Sequence, residues 1–217
     1  MKNFNSRNAE LRSKFNSHFQ KLTNTDVDFY DTLANEDILE LKTVLSDINN
    51  LLTYKLTLTA GDWISNYFNL NEEERFSISE KIDSTKPNAK GYDIIIDSPI
   101  KIVAEVKCNV PVKGGSKFGA MQSKKLIEDV QKLLSGKPQV PNTSEYLKFL
   151  FIINIESRSE GAMLSLTKKT KLRVENEERI NRNLIRESMI ILSDDFKGAL
   201  NPNYVYLKTL NLNNSLP

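Results

Sequence analysis

The sequence predicts an α/β protein in which a mixed sheet is flanked by helices and preceded by a helical N-terminal region. Three observations carry this. Helical periodicity fills the first third of the chain, short apolar runs of strand length dominate from about Arg75 onward, and amphipathic or charged helical stretches separate the later runs.

Leu11, Phe15, Phe19 and Leu22 recur at helical spacing, with His18 beside the stripe as a helix-face residue. A short second helix fits Asp26 to Leu33. Asn35 caps a third, with Glu36 and Asp37 in its first turn and Ile38, Leu41, Leu45, Ile48 and Leu52 as its apolar stripe. Thr59 and Gly61 break that pattern, and a shorter helix carrying Asp62, Trp63, Ile64, Tyr67 and Phe68 follows. RFSISE alternates like a strand, with Phe76 and Ile78 on one side. After the polar loop DSTKPNAKG, the runs GYDIIID and KIVAEVK pair as a hairpin turning at Ser98-Pro99. Pro111, Gly114, Gly115 and Gly119 keep the next segment irregular. A helix then spans about Ala120 to Leu134, with Met121, Leu126, Val130, Leu133 and Leu134 inward. KFLFIINIE is the most apolar run and the expected central strand. SMIILS follows a charged helical stretch around Glu175 to Glu187, and YVYLKTL adds a last strand.

A chain of 217 residues, 39% apolar and 27% charged, has the composition of a globular protein with one sizeable core. One cysteine, Cys108, excludes an internal disulfide, and one cysteine with one histidine do not make a structural zinc site. No apolar run has the length of a membrane span, and the first residues lack the apolar segment of a signal peptide, so a cytoplasmic protein is expected. The net charge is only +2, but eight lysines face three acidic residues between Lys101 and Lys137, a local field suited to a polyanion.

The charges inside the hairpin are the informative ones. Residues two apart on a strand share a face, so Glu105, Lys107 and Asn109 project together while Ala104, Val106 and Cys108 point the other way. With the turn at Ser98-Pro99, Asp93 falls opposite the region of Glu105. Two converging carboxylates repel unless a positive charge sits between them, and Mg²⁺, which prefers hard oxygen ligands, suits that place. The backbone carbonyl of Val106 offers a third protein oxygen. Lys107 would then orient a water and stabilise developing negative charge. The matching chemistry is phosphodiester hydrolysis in which in-line attack expels the 3′ oxygen and leaves a 5′ phosphate. One and two metal ions are both compatible with these residues.

GYDIIID followed by AEVK resembles the PD-(D/E)xK phosphodiesterase superfamily, which includes many type II restriction endonucleases and DNA repair and recombination nucleases. The resemblance covers about residues 60–155. Asp93 matches the first acidic position, Glu105 the second and Lys107 the lysine, while Tyr92 stands where the motif's name has proline. The resemblance implies a restriction-endonuclease-like sheet, catalytic roles for Asp93, Glu105 and Lys107, and double-stranded DNA as substrate. Members often carry a further acidic residue on the helix before the first core strand, and Asp62 or Glu80 takes that place here.

The loop and helix start KGGSKFGAMQSKK lacks Walker-loop spacing. Its Lys113, Lys117, Gln122, Lys124 and Lys125 are expected to contact the phosphate backbone beside the scissile bond. Lys168, Lys169, Lys171 and Arg173 form a second basic cluster, offset by nearby glutamates. Residues 1–58 are expected to form a helical region packed on the core and used for dimerisation, and 59–217 the nuclease core with a C-terminal elaboration. The resulting expectation is a homodimeric, sequence-specific, Mg²⁺-dependent DNA endonuclease of the type II restriction class. The alternatives are a repair or junction-resolving nuclease, or a noncatalytic nucleic-acid-binding subunit. Subunits of that last kind commonly lose a ligand or the lysine, whereas all three residues are present here.

Overall fold

The computed structural model describes residues 4–84, 91–112, 115–155, 157–169, 177–196 and 198–212, apart from the side chains of 178 and 179. The chain divides into two units, Met1–Asn49 and Asn50–Pro217, and the boundary falls inside a helix.

The first unit contains α1 (Phe4–Thr23), α2 (Phe29–Thr32) and the start of α3 (Asn35–Tyr67). Aromatic contacts hold α1 to α2: the Phe19 ring lies 4.7 Å from Phe15 and 5.5 Å from Phe29, and Phe15 meets the Tyr30 edge at 6.2 Å. Arg12 pairs with Asp31 and sits over the Tyr30 ring, while Asp28 caps α2 by accepting the Asp31 N–H. Leu11 and Leu22, the ends of the expected α1 stripe, are exposed.

The second unit is an α/β fold built on a five-stranded mixed sheet with helices on both faces. Its strands are β1 (Ile94–Ile96), β2 (Ile102–Lys107), β3 (Leu147–Ile153), β4 (Met189–Ile191) and β5 (Val205–Leu210), arranged β1-β2-β3-β5-β4. Only β1 runs antiparallel to its neighbour. As expected, β3 is central and GYDIIID pairs with KIVAEVK. Strand β5 inserts between β3 and β4, leaving β4 at the edge.

Alternation splits the sheet into two apolar layers. Ile94, Ile102, Ala104, Val106, Phe149, Phe151 and Tyr206 pack with Leu56, Ala60 and Ile64 of α3 and with Ile78 and Ile82 of α4 (Glu72–Ser84). On the other face, Val103, Leu150, Ile152 and Leu207 meet α5 (Ala120–Ser135) and α6 (Arg158–Thr167). The helix α7 (Glu177–Glu187) precedes β4. Trp63 meets Phe149 and Phe151 edge-on at 5.8 and 5.5 Å, which makes it a core residue.

Two local expectations are corrected. RFSISE is part of α4, not a strand. Asn71 and Glu74 cap each other's backbone N–H groups at 3.0 and 2.9 Å, Glu72 to Glu74 fill the first turn, and Ile78 and Ile82 bury at i, i+4 while Phe76 is exposed. Gly61 does not break α3. A β-carbon there would stand 2.7 Å from Ile82 Cδ1, so the glycine permits the close approach of α4. Met121, expected inward on α5, is exposed; Ile127 is buried.

At the N-terminal end of β3, Lys148 is buried with its ammonium donating to the carbonyls of Thr143, Tyr146 and Pro202. Three donors meet three acceptors, and this ties the loop before β3 to the loop before β5. Burial pulls Lys148 down to about 8, so it stays charged at neutral pH. Lys148→Met leaves three inward carbonyls without their donor, each lone acceptor costing about 1–3 kcal/mol where no water replaces the bond. We expect chemical denaturation to show a loss of at least about 2 kcal/mol; an unchanged midpoint would show that this knot contributes nothing.

Candidate functional site

Strand β1 is only three residues long, and this shapes the site. The β1–β2 ladder runs from Ile96↔Ile102 to Ile94↔Ala104, so the next pair outward is Asp93 and Glu105. Beyond Ile94 the backbone of β2 loses its strand partner, and the Val106 N–H donates to Asp93 Oδ2 at 2.7 Å instead. A strand residue directs its N–H and C=O to the same side, so the Val106 carbonyl also lies on the β1 side, past the end of that strand.

Glu105 is only 3% exposed. Lys107 Nζ donates to its Oε2 at 2.8 Å, and Lys137 Nζ pairs with its Oε1. Lys107 also pairs with Asp129 of α5 at 3.2 Å, and Lys132 reaches Asp129 at 3.2 Å from the solvent side. The structure thus brings Asp93, Glu105 and Lys107 together and adds Asp129 and Lys137, which the sequence reading did not assign to the site. Asp129 had a legible signal. It occupies a stripe position between Leu126 and Leu133, where a carboxylate needs a buried cation. Lys137 lies 32 residues from Glu105 across an α-helix and left no comparable mark.

Lys137 is delivered by a fixed turn. Gly136 has φ +93°, and a β-carbon there would lie 2.3 Å from the Pro141 carbonyl oxygen. Lys137 and Val140 exchange backbone hydrogen bonds at 3.1 and 2.9 Å, and Thr143 Oγ1 ties the following loop to the Leu133 carbonyl at 2.9 Å. The ammonium also donates to the Gly91 carbonyl at 2.6 Å and lies 4.7 Å from the Tyr92 ring centre. Tyr92 is buried; its hydroxyl donates to the Lys132 carbonyl at 2.8 Å.

Burial, reinforced by the charge of Glu105, pushes Asp93 up to about 6 against the pull of Lys107, the Val106 N–H and Lys137. Burial opposes the charge on Lys107, but Glu105, Asp129 and Asp93 together overcome it and hold the ammonium well above the usual lysine range. Burial, then Glu105, pushes Tyr92 up to about 12. The Cys108 thiol is also raised by burial, the wrong direction for a nucleophile.

The other candidates lie apart from this cluster or are otherwise engaged. Asp62 lines a separate cavity of about 660 Å³ with Trp63, Asn154, Asp194 and Lys208. Glu80, expected at a strand end, is exposed on α4. A cleft of about 360 Å³ opens beside Asp93, and there α4 contributes Ile78, Lys81, Ile82 and Ser84. Gln122 closes the start of α5, accepting the Gly119 N–H at 2.9 Å and donating to the Val110 carbonyl at 3.2 Å. Lys117, Lys124 and Lys125 are exposed, Lys124 facing Glu128 at 3.9 Å. Lys113, Lys171 and Arg173 lie outside the described residues.

Among the described residues, no group of three or more His, Cys, Asp or Glu side chains is placed to hold a metal ion. The donor set at β1–β2 is two carboxylates and a carbonyl. Mg²⁺ is commonly held by one or two carboxylates with water and substrate phosphate completing its shell, so these oxygens fit it. No described helix is long and apolar enough to cross a membrane. Comparison with family models, curated proteins and solved structures returned no match.

The raised Asp93 carboxyl has a thermodynamic consequence for the metal-free protein. Its folded pKa, about 6, exceeds the ordinary 3.8, so the native state binds more protons between those values. This contribution is fully present below pH ~4 and lost as pH rises through about 6, to the extent of about 3 kcal/mol at ~1.4 kcal/mol per unit. Denaturation series from pH 4 to 7 on wild type and Asp93→Asn should diverge, the variant lacking the decline. Parallel curves would refute the assignment.

Proposed function

We propose that the chain is a Mg²⁺-dependent endonuclease that hydrolyses DNA phosphodiester bonds, a restriction-endonuclease-like member of the PD-(D/E)xK class. The observation that supports this most directly is the convergence of Asp93, Glu105 and Lys107 at the frayed end of the β1–β2 hairpin, where the Val106 carbonyl faces the same side. The antiparallel β1–β2 pair followed by α5 and the parallel strand β3 is also the order that the sequence resemblance implies.

In this reading Asp93, Glu105 and the Val106 carbonyl hold the cation. When bound, Mg²⁺ supplies Lewis-acid stabilisation of the phosphate and lowers the pKa of a coordinated water. Lys107, held protonated by Glu105 and Asp129, orients the attacking water and stabilises the charge that grows on the phosphate. Asp129 is a positioning residue, since it acts through Lys107. The cleft of which Asp93 forms part of the wall opens beside that carboxylate, and the lysines of the Lys101–Lys137 segment favour a polyanionic substrate. A sequence-specific homodimer of the type II restriction class remains the specific form of the proposal, with double-stranded DNA as substrate.

Incubation with long unmethylated duplex DNA and Mg²⁺ tests this. Wild type should yield discrete fragments with 5′ phosphates. Lys107→Ala and Asp93→Asn should cut at least about 100-fold more slowly, the usual scale for losing a group that stabilises transition-state charge or handles its proton. Intact DNA with wild type would count against restriction activity, and equal cutting by Lys107→Ala would remove Lys107 from the mechanism. Because Asp93 must ionise to hold the cation, cleavage at limiting Mg²⁺ should rise from pH 5 to 7.

A further inference from the structure

We infer that Lys137 is a built-in counter-cation of Glu105, which restricts the site to one divalent ion per chain and weakens the binding of that ion. The inference rests on the metal-binding reading above.

Both carboxylate oxygens of Glu105 face ammonium groups, but the two lysines differ. Lys107 comes from the same strand face and is shared with Asp129. Lys137 is enclosed by Glu105 Oε1, the Gly91 carbonyl and the face of Tyr92. A carboxylate, a carbonyl and an aromatic face form a compartment for a cation, and the ammonium fills it. The turn that delivers Lys137 is fixed by the positive φ of Gly136 and the paired hydrogen bonds with Val140.

The charges lead to the same stoichiometry. Asp93, Glu105 and Asp129 carry three negative charges when ionised, against two positive charges on Lys107 and Lys137. Lys132, which meets Asp129 from the exposed side, is screened by water. One divalent ion brings this cluster to a net +1, which a substrate phosphate neutralises. Two would leave +3 beside a half-buried lysine pair. The place a second ion would take on Glu105 is the one Lys137 already holds.

Titration of the metal-free full chain with Mn²⁺ at neutral pH, followed by calorimetry and by the free-Mn²⁺ electron paramagnetic resonance signal, tests this without reference to cleavage. Wild type should bind one Mn²⁺ per chain. Lys137→Met should bind it at least tenfold more tightly, and Lys137→Arg should stay near wild type. The metal-free Met variant should melt at lower temperature than wild type and regain more of that loss with Mn²⁺. Should Lys137→Met fail to fold, Lys137→Gln removes the charge while keeping a donor for the Gly91 carbonyl. Two Mn²⁺ per wild-type chain, or equal or weaker binding after loss of the Lys137 charge, would overturn the inference and leave the metal site standing. No Mn²⁺ binding by wild type at millimolar concentrations would instead overturn the metal-binding reading on which it depends.

Discussion

A carboxylate buried in the sheet at Glu105 is the constraint from which the organisation of this end of the molecule follows. An ionised group so deeply covered is tolerated only with opposite charge and hydrogen bonds close by. Two ammonium groups meet that demand, Lys107 from the same strand and Lys137 from the turn after α5, and Asp129 of the helix in turn balances Lys107. Buried ion pairs commonly add little net stability compared with an apolar core of the same shape. The fold's stability is therefore better attributed to the apolar layers on the two sheet faces, while the charged cluster is an arrangement they can support.

The brevity of β1 matters as much as the charges. Had its ladder continued past Ile94, the Val106 N–H and carbonyl would have been absorbed into backbone pairing. Because it stops, Asp93 takes the amide and the carbonyl is directed past the strand end. A strand terminus thus turns ordinary backbone groups into part of a polar site, with the following strand held rigidly by its pairing to β3.

Lysines at two places along the sheet show how the same side chain serves different ends. Lys148, near the opposite end from Lys107, meets only neutral carbonyls and fastens loops. Lys107 and Lys137 meet carboxylates, so any cation brought to Glu105 must compete with them. Location among carbonyls or among carboxylates decides whether a buried ammonium acts as a tie or as a counter-ion.

The hairpin, its turn at Ser98-Pro99, the α5 helix and the central place of β3 were legible because each rests on short-range periodicity and turn chemistry. So was the meeting of Asp93, Glu105 and Lys107, since two-residue alternation and a tight turn leave few registers. RFSISE was misread because four alternating residues satisfy a strand pattern, while the Asn71–Glu74 cap and the Ile78–Ile82 spacing extend beyond that window. Gly61 was misread because its use depends on Ile82, a neighbour distant in sequence. By itself, then, the sequence determined the α/β class and which charges share a strand face, both consequences of local backbone geometry. Only the tertiary structure decided that β5 lies inside β4, that Asp62 lines a different cavity, and that Lys137 reaches Glu105. Those outcomes depend on how helices and loops return across the sheet, and nothing in local periodicity encodes that return.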